Sequence, residues 1–212
     1  MNPSHPINRR LAPQTASTDE QRLRLVQSAY QLIVEKGMAG LRIREVASRI
    51  GLNHATLLYY FPTKEALIQA VAAFCIRQFR VIQAPRSSPS STPGEYLRHL
   101  YLSDLAYQLR EAPELFLVLD ELLLYARRDP ATHRVFSETV MAWQHSLESL
   151  IQEEISAGGF RADLDVRCTA LTIMAFCQGV GLLLHTQPGD IDGILAQFAQ
   201  WFRSLSSDQE KE

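Results

Sequence analysis

Residues 43–60, IREVASRIGLNHATLLYY, leave this chain few folds to choose from, because they require two short helices crossing at a steep angle. Ile43, Val46, Ala47 and Ile50 recur at i, i+3, i+4 and i+7, an apolar stripe that spans about two helical turns. Arg44, Glu45, Ser48 and Arg49 take the outside. Gly51 supplies the freedom that a left-handed helix terminus needs, and Leu52 follows as a buried plug. Asn53 is a good N-cap for a second helix, since its side-chain oxygen accepts from backbone N–H groups two or three residues on. Leu57 points inward, and Ala47 has no bulk to hold the helices apart. The outer side is left to His54, Ala55, Thr56, Leu58, Tyr59 and Tyr60. This is the spacing of a helix-turn-helix, whose second helix is free to enter a DNA groove.

The flanks add a helix on each side. Before the motif, Leu25, Ala29, Leu32 and Ile33 fall at helical spacing and Gly37 stops the run. After it, Thr63 is an N-cap ahead of Glu65, and Leu67, Ile68, Val71, Phe74 and Cys75 mark an inward face. The stretch 21–79, down to the run GLNHATLLYYFPTKEAL, resembles the DNA-binding domain of TetR-type transcriptional regulators. The signature is an aromatic pair, then Phe, Pro, a small hydroxyl, Lys, Glu and Leu.

That resemblance implies an all-α chain, with a three-helix DNA-binding domain followed by a helical-bundle domain for ligand binding and dimerisation. It implies a cytoplasmic homodimeric regulator, most often a repressor, released from a double-stranded DNA operator by a small apolar effector. Arg44, His54 and Ala55 match positions that contact base edges. Leu58 stands where Tyr is common; its methyl groups suit a thymine methyl but donate no hydrogen bond. Thr56, Tyr59, Tyr60 and Lys64 match phosphate-contacting positions, Tyr60 replacing a frequent His. Arg42 replaces a capping Ser or Thr and brings a cation that can reach the backbone; Asn53 completes the DNA-binding candidates. For Tyr59 the competing expectation is ring packing between helices, and for Lys64 a solvated charge.

Charge divides the chain. Residues 1–84 hold eleven Lys or Arg against five Asp or Glu, whereas residues 85–212 hold ten against eighteen. A basic front and an acidic back suit a front half that meets phosphates. Three units are expected: a flexible arm 1–17 with Arg9 and Arg10, the DNA-binding domain 18–80, and a regulatory and dimerisation domain 81–212. Ser17 and Glu20 form a potential capping box, and the run PRSSPSSTPG at 85–94 breaks any helix.

Beyond that break, helices are expected near 96–110, 114–127, 131–156, 165–185 and 191–205. Tyr107, Phe116, Tyr125, Phe136, Met141, Trp143, Met174 and Phe176 are candidates to line a ligand chamber, as soft and polar-tipped side chains among Leu-rich helices. The last two helices carry broad apolar surfaces. Leu171, Ala175, Gly179, Leu182, Phe198 and Phe202 are candidates for a dimer seam, with Ala170 and Gly181 also allowing close helix approach.

Other classes find less support. No apolar run reaches the ~18 uninterrupted residues of a membrane span, and residues 169–185, the most apolar stretch, read as a buried helix. The start of the chain has no signal-peptide core. Cys75, Cys168 and Cys177 lack metal-type spacing and read as core thiols. An all-α metal-dependent or other enzyme is the alternative, with His145, Glu148 and a possible meeting of Asp120-Glu121 with His99 or His133. A carboxylate-bridged metal bundle needs more ligands than that. No phosphate loop or nucleophile elbow occurs, so neither catalytic residues nor a cofactor or metal is expected. An effector-free DNA-binding protein is a third option.

Overall fold

A computed structural model of the chain describes residues 18–79 and 93–207. The expected arm, the Ser17 end of the capping box and residues 85–92 of the 85–94 break lie outside them.

The front unit comprises α1 (Thr18–Gly40), α2 (Ile43–Arg49), α3 (His54–Tyr60) and α4 (Lys64–Gln78). Leu25, Ala29, Leu32 and Ile33 of α1 are fully buried, and the helical geometry of α1 breaks at Gly37, with φ of 65°. Gly51 ends α2 with φ of 73°, a left-handed conformation that favours glycine. The N–H of Leu52 then donates to the Ala47 carbonyl at 2.9 Å. Leu52 is half-buried, where the sequence suggested a buried plug. Both expected caps form: Asn53 accepts from the Thr56 N–H and Thr63 from the Ala66 N–H. Ser28 ties α1 to α2 by donating to the Val46 carbonyl at 3.0 Å.

The back unit runs through α5 (Pro93–Arg98), a π-helical stretch (His99–Asp104), α6 (Leu105–Glu111), α7 (Pro113–Ala126), α8 (Pro130–Ser156), α9 (Val166–Thr186) and α10 (Ile191–Arg203). Pro93 and Gly94, read from sequence as the end of the break, begin a helix instead. Pro at the first turn costs no internal hydrogen bond. Gly94 lets the Glu154 carboxylate pack against the backbone there, since a Cβ at Gly94 would clash with it. The helix expected at 96–110 therefore becomes a longer one, interrupted by a wide π-turn.

Three of the back helices, α7, α8 and α9, pack mutually, and α10 lies against α9. The two units share one continuous core: α1 packs on α7, and α4 on both α7 and α8.

Residues 169–185 are not buried all round. Ala170, Ile173, Met174, Cys177, Val180 and Gly181 face the core, while Leu171, Ala175, Gly179 and Leu182 form an exposed stripe. By length and composition α9 could cross a membrane, yet its inner face packs on α7 and α8. The reason is simple periodicity: one face of a 3.6-residue helix meets the monomer core, and the opposite face stays out. Cys168 likewise is exposed, in the first turn of α9, while Cys75 and Cys177 are buried as expected. Burial pushes the Cys75 thiol up to about 12.

Candidate nucleic-acid interface and ligand cavity

The outer surface of α2 and α3 is built on local hydrogen bonds. Asn53 Oδ1 accepts from both the Thr56 N–H at 2.8 Å and the Thr56 hydroxyl at 3.0 Å, which pins the start of α3. Both side chains are thus committed to the cap, and the Thr56 hydroxyl keeps its lone pairs as acceptors. Leu57 is fully buried beneath α3. His54 and Ala55 are exposed on its first turn, and Leu58 is half-buried.

Tyr59 is 78 % exposed, which decides against the interhelical packing considered for its ring. It meets Tyr60 edge to face at 5.2 Å. Arg44 is exposed and Lys64 half-buried, and neither forms a hydrogen bond or ion pair among the described residues. Arg42 behaves differently, folding back to donate to the Ala39 carbonyl at 2.7 Å. Its charge stays close to the start of α2.

Not every cation of this unit is available to a polyanion. Arg49 donates to Glu35 at 2.7 Å and to Glu45 at 3.0 Å, and Lys36 also pairs with Glu45 at 2.7 Å. Arg22, overlooked in the sequence, places its guanidinium 4.4 Å above the Phe61 ring and donates to the Tyr60 carbonyl at 3.0 Å. It holds the end of α3 against α1. An Arg separated from its aromatic partner by the whole helix-turn-helix leaves no short-range signal.

Where the two units meet there is a cavity of about 60 Å³. Phe116, Leu119, Asp120 and Leu123 reach it from α7 at i, i+3, i+4 and i+7. Phe136, Thr139, Val140 and Trp143 do the same from α8. Cys177, Gln178 and Gly181 come from α9, and Ile76 and Phe79 from the end of α4. Bare backbone at Gly181 admits the Phe116 ring, because a Cβ there would stand 2.5 Å from it. Phe79 and Phe116 meet edge to face at 5.1 Å. The Trp143 indole N–H is satisfied by the Tyr101 hydroxyl at 2.7 Å.

Of the residues suggested for a ligand chamber, Phe116, Phe136 and Trp143 come together at this cavity, and Tyr107, Tyr125, Met141, Met174 and Phe176 do not line it. Tyr107 and Met141 are exposed, Tyr125 is half-buried and Met174 lies in the core. Phe176 stacks on Phe198, ring centroids 3.6 Å apart. Asp120 was not among the suggested residues, although its place within the apolar series Phe116, Leu119 and Leu123 is visible in the sequence. Burial pushes its carboxyl above the usual carboxylate range, and His185 pulls the other way.

Of the seam candidates, Leu171, Ala175, Gly179 and Leu182 share the exposed stripe of α9, whereas Phe198 and Phe202 are buried within the monomer. Gly181, grouped with Gly179 in the sequence, faces Phe116 instead of a partner surface.

The metal-site alternative assembles poorly. Glu121 accepts from the Met38 N–H at 3.2 Å, Asp120 lines the cavity, and Gln144 donates to Glu148 at 2.8 Å. Among the described residues no three His, Cys, Asp or Glu converge as a metal site.

Comparisons with known proteins agree with this geometry. Residues 25–71 match the model of bacterial regulatory proteins of the tetR family, and residues 94–205 match that of the BetI-type transcriptional repressor C-terminal domain. The transcriptional repressor NicS of Pseudomonas putida is 23 % identical over 84 % of each chain. The nicotine-responsive repressor HdnoR of Paenarthrobacter nicotinovorans is 25 % identical over 82 % of this chain and 88 % of its own. A TetR regulator of Haloarcula marismortui superposes with a TM-score of 0.75 at 21 % identity, covering 89 % of this chain and 98 % of its own. With a helix-turn-helix in front and a matching helical bundle behind, the chain belongs to the TetR family of DNA-binding transcriptional regulators and is not an enzyme.

Proposed function

We propose that this protein is a dimeric repressor that leaves its operator when a small molecule enters the cavity between α4, α7, α8 and α9. The observation that carries the reading is the double duty of α7. One face of this helix lines the cavity through Phe116, Leu119, Asp120 and Leu123, while Glu121 accepts a hydrogen bond from the Met38 N–H just ahead of α2. The end of α4 also lines the cavity, and its beginning follows α3. Drug-sized ligands need pockets of about 300–1,000 Å³, so entry into 60 Å³ must push a wall outward. Two of its four walls, α4 and α7, are attached to the DNA-reading helices. A ligand that prefers the opened arrangement thereby weakens DNA binding, and the two affinities are coupled reciprocally.

In this reading α3 lies in the major groove, with Arg44, His54, Ala55 and Leu58 towards base edges and Tyr59, Tyr60 and Lys64 towards phosphates, joined by Thr56 once its hydroxyl turns from Asn53 to donate outward. The exposed stripe of α9 pairs with that of a second copy, setting two reading heads on one near-palindrome in the cytoplasm. The responsiveness of HdnoR to a small molecule supports the ligand-release part.

Selection from randomised duplex DNA tests the proposal directly. It should return a near-palindrome occupied by two chains. A ligand recovered with the purified protein by native mass spectrometry should weaken that complex about 5–150-fold. Tight ligand binding with unchanged operator affinity across several salt concentrations overturns ligand release.

A further inference from the structure

Asp120 is the odd member of an otherwise apolar wall. The residues around the cavity include four aromatic rings, Phe79, Phe116, Phe136 and Trp143, and no Lys, Arg or His. Asp120 forms no hydrogen bond or ion pair among the described residues, and the charge that acts on it is that of His185, exposed near the end of α9. A partly buried carboxylate whose basic neighbour is a solvent-exposed imidazole is poorly compensated, and a ligand that brings the opposite charge removes that cost. The rings contribute in the same sense, since their faces attract cations most strongly where water is excluded. Trp143 has its N–H bound to Tyr101, so no indole donor is left for an anionic or carbonyl ligand. A neutral apolar guest would fill the space and leave the carboxylate uncompensated; an anion would be repelled.

Resting on the ligand-release reading above, we propose that the cavity takes a lipophilic organic cation, with Asp120 as counter-charge and Phe116, Phe136 and Trp143 as its π-walls. The chemical class is an aromatic or short-alkyl ammonium, because the lining is apolar apart from Asp120, Thr139, Gln178 and the Cys177 thiol.

Isosteric probes separate charge from shape. Phenyltrimethylammonium and tert-butylbenzene differ essentially by one carbon for one charged nitrogen, and calorimetric titration of each into the full-length protein at pH 8 reads the preference directly. The parent should bind the cation about tenfold or more tightly than the hydrocarbon. Asp120→Asn, close in shape, should remove that preference by weakening the cation alone. This parent comparison needs no variant, so an unstable Asp120→Asn protein does not spare the proposal. Equal affinities in the parent, or a cation preference that survives Asp120→Asn, overturn cation recognition and leave the cavity standing as a ligand site. Failure of the cation to bind at millimolar concentration overturns cation recognition whatever the hydrocarbon does at its solubility limit, and leaves ligand release to be decided by the operator titration above.

Discussion

Both units cap their helices locally, Asp129 and Asp165 doing so in the regulatory bundle, but the bundle adds polar links over longer distances along the chain than the DNA-reading unit does. In the front unit Asn53 answers Thr56, Thr63 answers Ala66 and Arg42 answers Ala39, each three residues away. In the back unit Trp143 reaches Tyr101 across 42 residues and Arg110 reaches Asp192 across 82, while Gln108 reaches back to Gln78 of α4 across 30. Glu121 reaches Met38 across 83, joining the two units. Short-range pairs shape a surface that must already exist before DNA arrives. Long-range pairs exist only after the helices collapse, so they report the packing of the bundle as a whole. Arg22, Ser28, the Lys36–Glu45 pair and the Arg49–Glu35 pair are the front unit's exceptions, and all of them staple α1 to the motif.

The largest expected effect asks whether the two regions are one folding unit. Leu57 is fully buried under α3, and Leu57→Ala should cost about 2–5 kcal/mol. Because the core is continuous through α1, α4, α7 and α8, melting followed by circular dichroism and by tryptophan fluorescence should coincide. Separate transitions would mean that the reading unit unfolds alone, and the comparison would then describe two domains with independent stability.

Next come two glycines two residues apart on α9. A methyl at Gly181 would stand 2.5 Å from Phe116, whereas one at Gly179 meets nothing within 4 Å. Gly181→Ala should therefore destabilise by about 1–3 kcal/mol through overpacking. Gly179→Ala should be neutral or stabilise by up to about 1 kcal/mol through helix propensity. Urea unfolding of the pair checks this, and equal shifts would mean that the inner and outer faces of α9 do not differ.

Within the reading unit, Lys64→Ala should weaken binding to all duplexes alike and lower the salt slope by about one, as loss of one phosphate contact does. His54→Ala should alter the preferred bases instead. An unchanged selected site for His54→Ala would remove His54 from base readout.

The smallest effect concerns the exposed charges of α1 and α2. Arg49 holds the Glu35 carboxyl below its ordinary range, and Lys36 followed by Arg49 does so for Glu45. A depressed carboxylate stabilises the fold above its unfolded value and loses that contribution as pH falls through the folded value. Arg49→Met should thus lower the urea midpoint slightly at neutral pH, with the gap from the parent closing below the ordinary Glu value of 4.5. A gap that persists undiminished at low pH would assign the effect to packing of the Arg stem.

What sequence spacing determined is the helix-turn-helix: the stripe of α2, the left-handed Gly51, and the Asn53 and Thr63 caps are chemistry between near neighbours, legible wherever the chain is read. Side-chain composition also named three of the cavity's aromatic residues, Phe116, Phe136 and Trp143, but alongside five residues that do not line it. Tertiary structure alone decided the rest. Met141 and Tyr107 have the composition of pocket residues but point to solvent, since composition carries no helix phase relative to distant neighbours. Gly179 and Gly181 look alike in sequence and face opposite ways, for at 100° per residue two positions separate them by most of a half-turn. Asp120 became a candidate counter-charge only once the helices placed Phe79, Phe136 and Trp143 beside it and no Lys, Arg or His in the cavity wall, because the meaning of a carboxylate depends on what surrounds it, and its surroundings come from helices far along the chain.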